Sequence, residues 1–400
     1  MRRLLLISVV VACGASAASA GAKVLAPGQD PFYAPPPSLA SYAPGTILRS
    51  RQVTDIGLTQ LASRTAYQLL FRTNDANGQP IAAVTTLLLP AAHGSGPRRL
   101  LSYQTAEDSL TLNCAPSYTL RTGTGTTQSA ESGEVAAALA RGWDVAVPDY
   151  EGPQSEWAVG PLGGRVTLDG IRAVEAFAPA GLQGGATEVG MMGYSGGAIP
   201  SVWANALASS YAPALRLVGV AAGGIAADPI ENLAAVNGTL FAGTIVGVSV
   251  AVERAYPSLG LSSILNVRGA ALAAADGADK YGCAGAVTNA PFATVGSLTH
   301  YATPAALEAL PQVRSAFAKL DLIGGPLPEA PSYWYNAIAD ELAIIHPVDE
   351  LYASDCARGA VIDYYRSPFG EHLAGAGLYV LPALNYLAAR FAGKPAPDAC

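Results

Sequence analysis

The sequence predicts an α/β protein in which a mostly parallel β-sheet carries an inserted helical cap. Short apolar, β-branched or aromatic segments alternate with helical patterns between residues 67 and 194. This alternation is typical of strand–helix–strand units and of a parallel sheet. An Ala- and Gly-rich stretch with helical patches, residues 227–322, then separates these segments from two further strands. An insertion between sheet strands is therefore predicted.

Hydrophobic periodicity locates the elements of this sheet. The predicted strands are Tyr67–Phe71, Ile81–Leu89, Leu100–Gln104, Trp143–Pro148, Glu188–Tyr194, Ser332–Ile338 and Ala360–Tyr365. The predicted helices are Glu134–Arg141, Leu168–Ala178 and Ala198–Ser209. A Pro-rich segment from Gly21 to Tyr42 precedes them and predicts an extended arm on the surface.

The first residues carry the features of a secretory signal. Met1-Arg2-Arg3 is basic, Leu4–Ala12 is apolar apart from Ser8, and residues 14–20 are small. We predict a signal peptide over residues 1–20, cleaved after Ala20. Its apolar run is shorter than the roughly 20 residues that cross a bilayer. The alternative is lipidation of Cys13 in a loose lipoprotein motif, which would anchor the protein to a membrane.

Domain boundaries follow from these segments. Residues 21–226 form the first part of the predicted core, residues 227–322 the cap and residues 323–400 the second part of the core. No segment after the signal predicts a transmembrane helix, since the best candidate, Phe241–Val252, is short and is followed by Glu253-Arg254.

Composition excludes several classes of function. Half of the 400 residues are hydrophobic, 13% are charged and the net charge is −7. Such a chain has too much apolar material to be disordered and no basic surface for a nucleic acid. Composition does not indicate the oligomeric state.

Four cysteines follow the signal segment. They are Cys114, Cys283, Cys356 and Cys400. An even number in a secreted chain predicts two disulfides, with three pairings open. A zinc site is disfavoured because none of the four are close together in sequence. Free buried thiols are the other alternative, which an oxidising compartment disfavours.

Residues 193–197 match the pattern G-x-S-x-G with Ser195 at its centre. A predicted strand, Glu188–Tyr194, precedes Ser195, and a predicted helix begins at Ala198. This strand–turn–helix setting is that of a nucleophile elbow, in which glycines leave room for a strained turn. Ser195 is therefore the predicted nucleophile, and a structural glycine-rich turn is the alternative.

A serine nucleophile needs a base, and the chain has four histidines. In this kind of fold the order along the chain is serine, acid, histidine, which excludes His93. His300 lies in the predicted cap. His346 lies only a few residues after Asp340, the candidate acid described next, which leaves no room for an intervening strand. His372 follows the last predicted strand and precedes a C-terminal helix, so we predict that it is the base.

The acid that orients the histidine is expected directly after the strand Ser332–Ile338. Asp340 occupies that position. Asp349 and Asp355 are competitors, but Asp349 is predicted to lie early in a helix, where acids are favourable in any case.

An oxyanion hole needs two hydrogen-bond donors. The backbone amide of Gly196, directly after the nucleophile, is the first by position. The second is expected after the strand Leu100–Gln104, where Asp108 is the candidate and Ser109 the runner-up. A surface acidic loop is the alternative interpretation.

The elbow and several other motifs together resemble the secretory lipase family of α/β-hydrolases. They are Ser102-Tyr103-Gln104-Thr105-Ala106-Glu107-Asp108-Ser109, Cys114-Ala115-Pro116-Ser117-Tyr118, Val147-Pro148-Asp149-Tyr150-Glu151-Gly152, Gly193-Tyr194-Ser195-Gly196-Gly197, Asp340-Glu341, Cys356-Ala357-Arg358-Gly359-Ala360 and Glu371-His372. The resemblance covers nearly the whole chain after the signal. One departure is His346, which the family pattern lacks and to which we assign no catalytic role.

The resemblance implies an α/β-hydrolase core with a helical cap inserted after the elbow. It implies that Ser195, Asp340 and His372 form the triad, and that Gly196 and the Asp108 loop form the oxyanion hole. It also implies the disulfide pairs Cys114–Cys283 and Cys356–Cys400.

The expected activity is hydrolysis of carboxylic esters, triacylglycerols above all, without a cofactor or a metal. The expected partner is a lipid or ester substrate, and the apolar cap suits action at a lipid–water interface. Short-chain esterase or acyltransferase activity, and a catalytically silent cell-surface binding protein, are the alternatives.

Overall fold

The structure is a computed structural model that describes residues 24–54, 63–94 and 96–400. The predicted signal peptide of residues 1–20 and Cys13 lie outside the described residues.

One sheet of nine strands organises the described part of the chain, in the order β1-β2-β3-β5-β4-β6-β7-β8-β9. The first three strands and the β3–β5 pair are antiparallel, and every later pair of neighbours is parallel. The predicted α/β class with a mostly parallel sheet is therefore confirmed. The strands are β1 (Ile47–Val53), β2 (Ser63–Asn74), β3 (Pro80–Pro90), β4 (Arg99–Gln104), β5 (Asp144–Pro148), β6 (Glu188–Tyr194), β7 (Arg216–Gly223), β8 (Ser332–Ala337) and β9 (Ile362–Ser367).

Fourteen α-helices accompany the sheet in the described residues. Four lie before β7: α1 (Pro116–Thr122), α2 (Thr126–Ala140), α3 (Gly160–Ala176) and α4 (Ala198–Tyr211). Seven lie between β7 and β8: α5 (Pro229–Ala235), α6 (Thr244–Ala255), α7 (Val267–Gly277), α8 (Gly285–Thr288), α9 (Val295–Leu298), α10 (Pro304–Glu308) and α11 (Pro311–Phe317). Three follow β8: α12 (Ile345–Ala357), α13 (His372–Leu378) and α14 (Val380–Phe391).

Helices cover both faces of the sheet, so adjacent residues of one strand lie in opposite cores. Leu100 belongs to a buried cluster with Leu168 and Ile171 of α3. Its neighbour Leu101 belongs to a second cluster that includes Leu384 of α14. Burial on both faces explains why these strands read as continuous apolar runs.

The segment between β7 and β8 packs as helices on the core. Phe241 and Val246 share one buried cluster with Trp157 and Leu162, which precede β6. Arg254 at the end of α6 also donates through one guanidinium nitrogen to backbone carbonyl oxygens of the core, those of Leu110 (3.0 Å), Gln154 (2.6 Å) and Ser155 (3.1 Å). The helical segment therefore contacts the core through both apolar and polar groups.

The prediction misses two strands and the starts of two helices. β1 carries Arg49 and Arg51 at the edge of the sheet, and β7 ends in small residues, so neither has a strong apolar pattern. α2 and α3 both begin eight residues earlier than predicted. In α3 the extra turns contain glycines, and a methyl group on Gly164 would lie 2.9 Å from the backbone nitrogen of Ala204 in α4. These glycines allow the close approach of two helices that hydrophobic periodicity alone does not register.

The N-terminal segment is more structured than the extended arm predicted. It forms 3₁₀ turns at Pro27–Gln29, Pro31–Tyr33 and Leu39–Ser41. Phe32 is buried, and the Arg51 guanidinium lies 4.0 Å from the centre of its ring. This contact fixes the segment on the edge strand β1.

Two disulfides are present, in the pairing that the family resemblance implies. Cys114–Cys283 joins the core to the segment between α7 and α8, over a sequence separation of 169. Cys356–Cys400 joins the end of α12 to the last residue, over a separation of 44. The first disulfide therefore ties the helical insertion covalently to the core.

We predict that replacing Cys114 and Cys283 by serine costs more stability than replacing Cys356 and Cys400. Chain entropy gives up to about 5 kcal/mol for the longer loop and about 4 kcal/mol for the shorter one. Urea unfolding of the two double variants measures the difference. A Cys114→Ser, Cys283→Ser protein as stable as the wild type would contradict the prediction.

Candidate active site

The turn between β6 and α4 carries Ser195. The backbone of Ser195 has φ +55°, a left-handed conformation that non-glycine residues rarely adopt, and residues 195–197 form a 3₁₀ turn before α4. A methyl group on Gly193 would lie 2.2 Å from the carbonyl oxygen of Gly197. A methyl group on Gly197 would lie 1.9 Å from the carbonyl oxygen of Gln104 at the end of β4. The turn is thus packed too closely for side chains at either glycine.

Three predicted side chains meet at this turn. The Ser195 hydroxyl lies 2.7 Å from Nε2 of His372. The other ring nitrogen, Nδ1, lies 2.8 and 2.9 Å from the two carboxylate oxygens of Asp340. The carboxylate also accepts hydrogen bonds from the backbone amides of Leu342 and Ala343, at 3.0 and 2.7 Å. This serine–histidine–acid geometry is that required for nucleophilic catalysis.

His372 is held from several sides. It is the first residue of α13. The backbone amides of Leu373 and Ala374, in the first turn of this helix, donate to the Glu371 side chain. The Tyr194 hydroxyl donates to the His372 carbonyl oxygen at 2.6 Å, and the His372 amide donates to Glu341 at 3.2 Å. These contacts fix the imidazole over Ser195, and His372 as a whole is 2% exposed.

Sequence reasoning did not assign these supporting roles to Tyr194 and Glu341. Both residues adjoin predicted triad members, Ser195 and Asp340, and that proximity is the signal available in the sequence. A third contact, the Phe241 ring at 6.2 Å from the imidazole, comes from the helical insertion. No local pattern predicts it.

The loop after β4 brings Asp108 to the turn. Asp108 has φ +45° and, with Ser195 and Gly196, lines one cavity. A methyl group on Gly196 would lie 1.8 Å from Oδ1 of Asp108, so the two residues are in close contact. Burial raises the pKa of Asp108 to about 6, although His372 and Trp157 oppose the shift. Ser109, the runner-up, instead accepts a hydrogen bond from the Thr111 amide at 3.2 Å.

Buried polar side chains accept hydrogen bonds from the backbone of the loop that carries Asp108. The Ala106 amide donates to Glu131 at 2.8 Å, and the Glu107 amide donates to the Tyr150 hydroxyl at 3.1 Å. Burial and the neighbouring carboxylates raise the pKa of both Glu107 and Glu151 well above the usual range. Burial therefore shifts both carboxyl groups beneath the loop toward the protonated form.

The other histidines and acids that were considered as the base or the acid make contacts elsewhere. His93 pairs with Asp144 at 2.9 Å, and His346 lies 3.1 Å from Glu231 on an exposed surface. Asp349 pairs with Arg366 at 3.0 Å, and Asp355 pairs with Arg358 at 2.5 Å. None of these histidines or acids is among the residues that line the Ser195 cavity.

A cavity above Ser195 is partly open to solvent. Its polar end is formed by Asp108, Ser195, Gly196 and His372, and the remainder is mostly apolar. Side chains of α4 and of the helical insertion form that apolar part: Ile199, Trp203, Leu233, Val236, Val248, Phe317 and Leu320. A second, smaller apolar cavity lies inside the insertion and shares Leu233, Val248 and Phe317 with the first.

The sheet topology, the elbow and the serine–histidine–acid contact define the class: this is an α/β-hydrolase. The chain further belongs to the secretory lipase family, since the family model for secretory lipases matches residues 118–399. The family and the fold support a lipase or carboxylic ester hydrolase, and the resemblance drawn from the sequence motifs is confirmed.

Similar proteins carry different names. A Mycobacterium tuberculosis protein named "probable inactive lipase MT1628" is 36% identical over 94% of this chain and 84% of its own. The "secreted triacylglycerol lipase LIP4" of Malassezia globosa is 33% identical over 98% of this chain and 87% of its own. The structure of Candida antarctica lipase A in its closed state is 29% identical, with a TM-score of 0.84 over 94% of this chain and 91% of that chain.

The secretory family, the secreted relative and the two disulfides fit an extracellular location. Among the described residues, no helix combines the length and the apolar character needed to cross a membrane.

We predict that Gly197→Ala disrupts the elbow, because the added methyl group has no room beside the Gln104 carbonyl oxygen. Such overpacking costs about 1–3 kcal/mol or more, and esterase activity should fall with it. The matched control is Gly133→Ala in α2, where a methyl group meets nothing within 4 Å. Thermal unfolding and ester hydrolysis measure both variants, and equal behaviour of the two would refute the steric account.

The contribution of Glu156 to stability is expected to fall as the pH rises from about 5 to about 7. Burial, with repulsion from Asp75, raises the pKa of Glu156 to about 7, whereas the unfolded chain titrates near about 4.3. The folded state then binds more protons in this window, so the free energy of unfolding decreases with pH. Glu156→Gln should make the melting temperature less dependent on pH, while the exposed Glu329→Gln serves as the control. An unchanged slope in Glu156→Gln would count against this assignment.

Proposed function

We propose that this protein is a secreted lipase that hydrolyses long-chain carboxylic esters, triacylglycerols in particular, through an acyl-enzyme on Ser195. The observation that carries the proposal is the Ser195–His372–Asp340 contact at the polar end of an apolar cavity. An apolar cavity with a few polar groups at one end is typical of a site for a mostly apolar ligand.

In the proposed first half of the reaction, His372 takes the Ser195 proton while the serine oxygen attacks the ester carbonyl carbon. Asp340 holds the imidazole tautomer and stabilises the imidazolium. The amides of Gly196 and Asp108 bind the oxyanion, and one such donor is worth about 3–4 kcal/mol. His372 then protonates the leaving alcohol. In the second half, the same histidine activates water, which releases the fatty acid and restores Ser195.

Residues 227–322 are proposed to act as the cap of this site. Leu233, Val248 and Phe317 belong to this segment and line both cavities. The continuity of apolar lining from the polar end into the cap supports a long acyl chain as the group bound there. Free secretion after cleavage at Ala20 is part of the proposal, with a lipid anchor at Cys13 as the alternative.

One observation supports a second candidate function, that of a catalytically silent binding protein. The Mycobacterium tuberculosis relative is named a probable inactive lipase, and a catalytically silent binding protein would have the same fold. The short distances within the triad of this chain favour an active enzyme. A short-chain esterase or acyltransferase would use the same triad with a different acyl preference.

The test is hydrolysis of p-nitrophenyl esters from acetate to palmitate by the mature protein. We expect the highest activity on long chains and a loss of about 10⁴–10⁶-fold in Ser195→Ala. The exposed Ser209→Ala in α4 is the control and should keep wild-type activity.

Each other outcome has a definite meaning. An optimum at acetate or butyrate would move the substrate class to short-chain esters. Equal activity of wild type and Ser195→Ala would remove Ser195 from its role. Absence of all hydrolysis and of labelling by a fluorophosphonate probe would indicate a silent binding protein.

A further inference from the structure

His346 has no role in the proposed chemistry, yet it lies between two carboxylates. Its Nδ1 is 3.1 Å from Oε2 of Glu231, and its Nε2 is 3.6 Å from Oε1 of Glu350. One atom of each of the three side chains lies within 4.8 Å of the others. This is the one group of three or more possible metal-binding side chains found among the described residues.

The group joins two parts of the fold. Glu231 belongs to α5, the first helix of the insertion, whereas His346 and Glu350 lie one turn apart on α12 of the core. Beside them, the Ile344 amide donates to Asn232 at 3.2 Å. Asn232 lines the catalytic cavity, as does Ala343 from the loop that carries Asp340. A ligand at this junction would therefore connect the insertion to the acid loop.

The chemistry of the three groups suits a divalent ion. A histidine and a glutamate four residues apart on a helix present their side chains on the same face. One imidazole nitrogen with two carboxylate oxygens is a ligand set that zinc and neighbouring first-row metals accept, and the two negative charges balance a 2+ ion. Half or more of the His346 and Glu350 side chains and 38% of the Glu231 side chain are exposed, so they are free to turn toward one ion.

We propose that Glu231, His346 and Glu350 bind one divalent first-row transition metal ion that links α5 to α12. One ring nitrogen of His346 and one oxygen of each glutamate bind the ion, and water completes the coordination. The competing explanation is that a protonated imidazole bridges the two carboxylates by charge alone, with no affinity for metal.

Calorimetric titration of the mature protein with zinc chloride tests the proposal. We expect one site, and at least a roughly tenfold loss of affinity in His346→Ala and in Glu350→Gln, as is common when a metal site is disturbed. His93→Ala is the matched control, because His93 is also partly exposed and paired with a carboxylate, Asp144. It should bind zinc like the wild type.

A second measurement does not depend on catalysis. Zinc should raise the melting temperature of the wild type and of Ser195→Ala, since an ion that binds the folded state stabilises it. His346→Ala should show no such increase. No zinc site in the wild type, or a site that persists unchanged in His346→Ala, would overturn the proposal and leave the protonated bridge. Either result is independent of whether the protein hydrolyses esters.

Discussion

The close packing of backbone around the turn after β6 is the constraint on which the rest of the site depends. Gly193, Gly196 and Gly197 leave no space for a methyl group, because the turn contacts the end of β4 and the side chain of Asp108. That packing stabilises the left-handed conformation of Ser195, a strain of about 1–3 kcal/mol. The same packing places the Ser195 hydroxyl 2.7 Å from Nε2 of His372 and brings the Asp108 side chain against Gly196. One backbone feature thus positions both the proposed nucleophile, Ser195, and the residues proposed to bind the oxyanion.

Parallel strands bring the remaining groups to the same place. The carboxyl ends of β4, β6, β8 and β9 lie along one edge of the sheet, and each is followed by a loop with a site residue. Asp108, Ser195, Asp340 and His372 come from these four loops. The helical insertion follows β7, and β7 lies between β6 and β8 in the sheet. The insertion therefore packs over the site. This agrees with the general rule that ligands bind outside the carboxyl ends of parallel strands.

Much of this arrangement could be predicted from the sequence, and the misses have physical causes. Two signals can be read directly from the sequence: the order serine, acid, histidine, and the strand that precedes each of these residues. The three side chains that the sequence predicts for the triad do lie together in the structure. β7 was missed because Gly219, Ala221 and Ala222 give a weak strand pattern. The Tyr194–His372 hydrogen bond joins residues 178 positions apart, and the contact of His346 with Glu231 joins residues 115 positions apart. Such contacts depend on tertiary packing, which no local pattern encodes.

The direct pairing of β7 with β8 has an evolutionary consequence. Val220 pairs with Ser332 and Gly223 with Tyr335, so the sheet continues in register whatever lies between the two strands. A lineage can lengthen, shorten or exchange that intervening stretch without breaking the sheet that carries Ser195, Asp340 and His372. Cys283 limits this freedom, because any replacement that omits it leaves Cys114 as an unpaired thiol in an oxidising environment. Variation of the insertion in such a scaffold is thus coupled to the retention of a single cysteine.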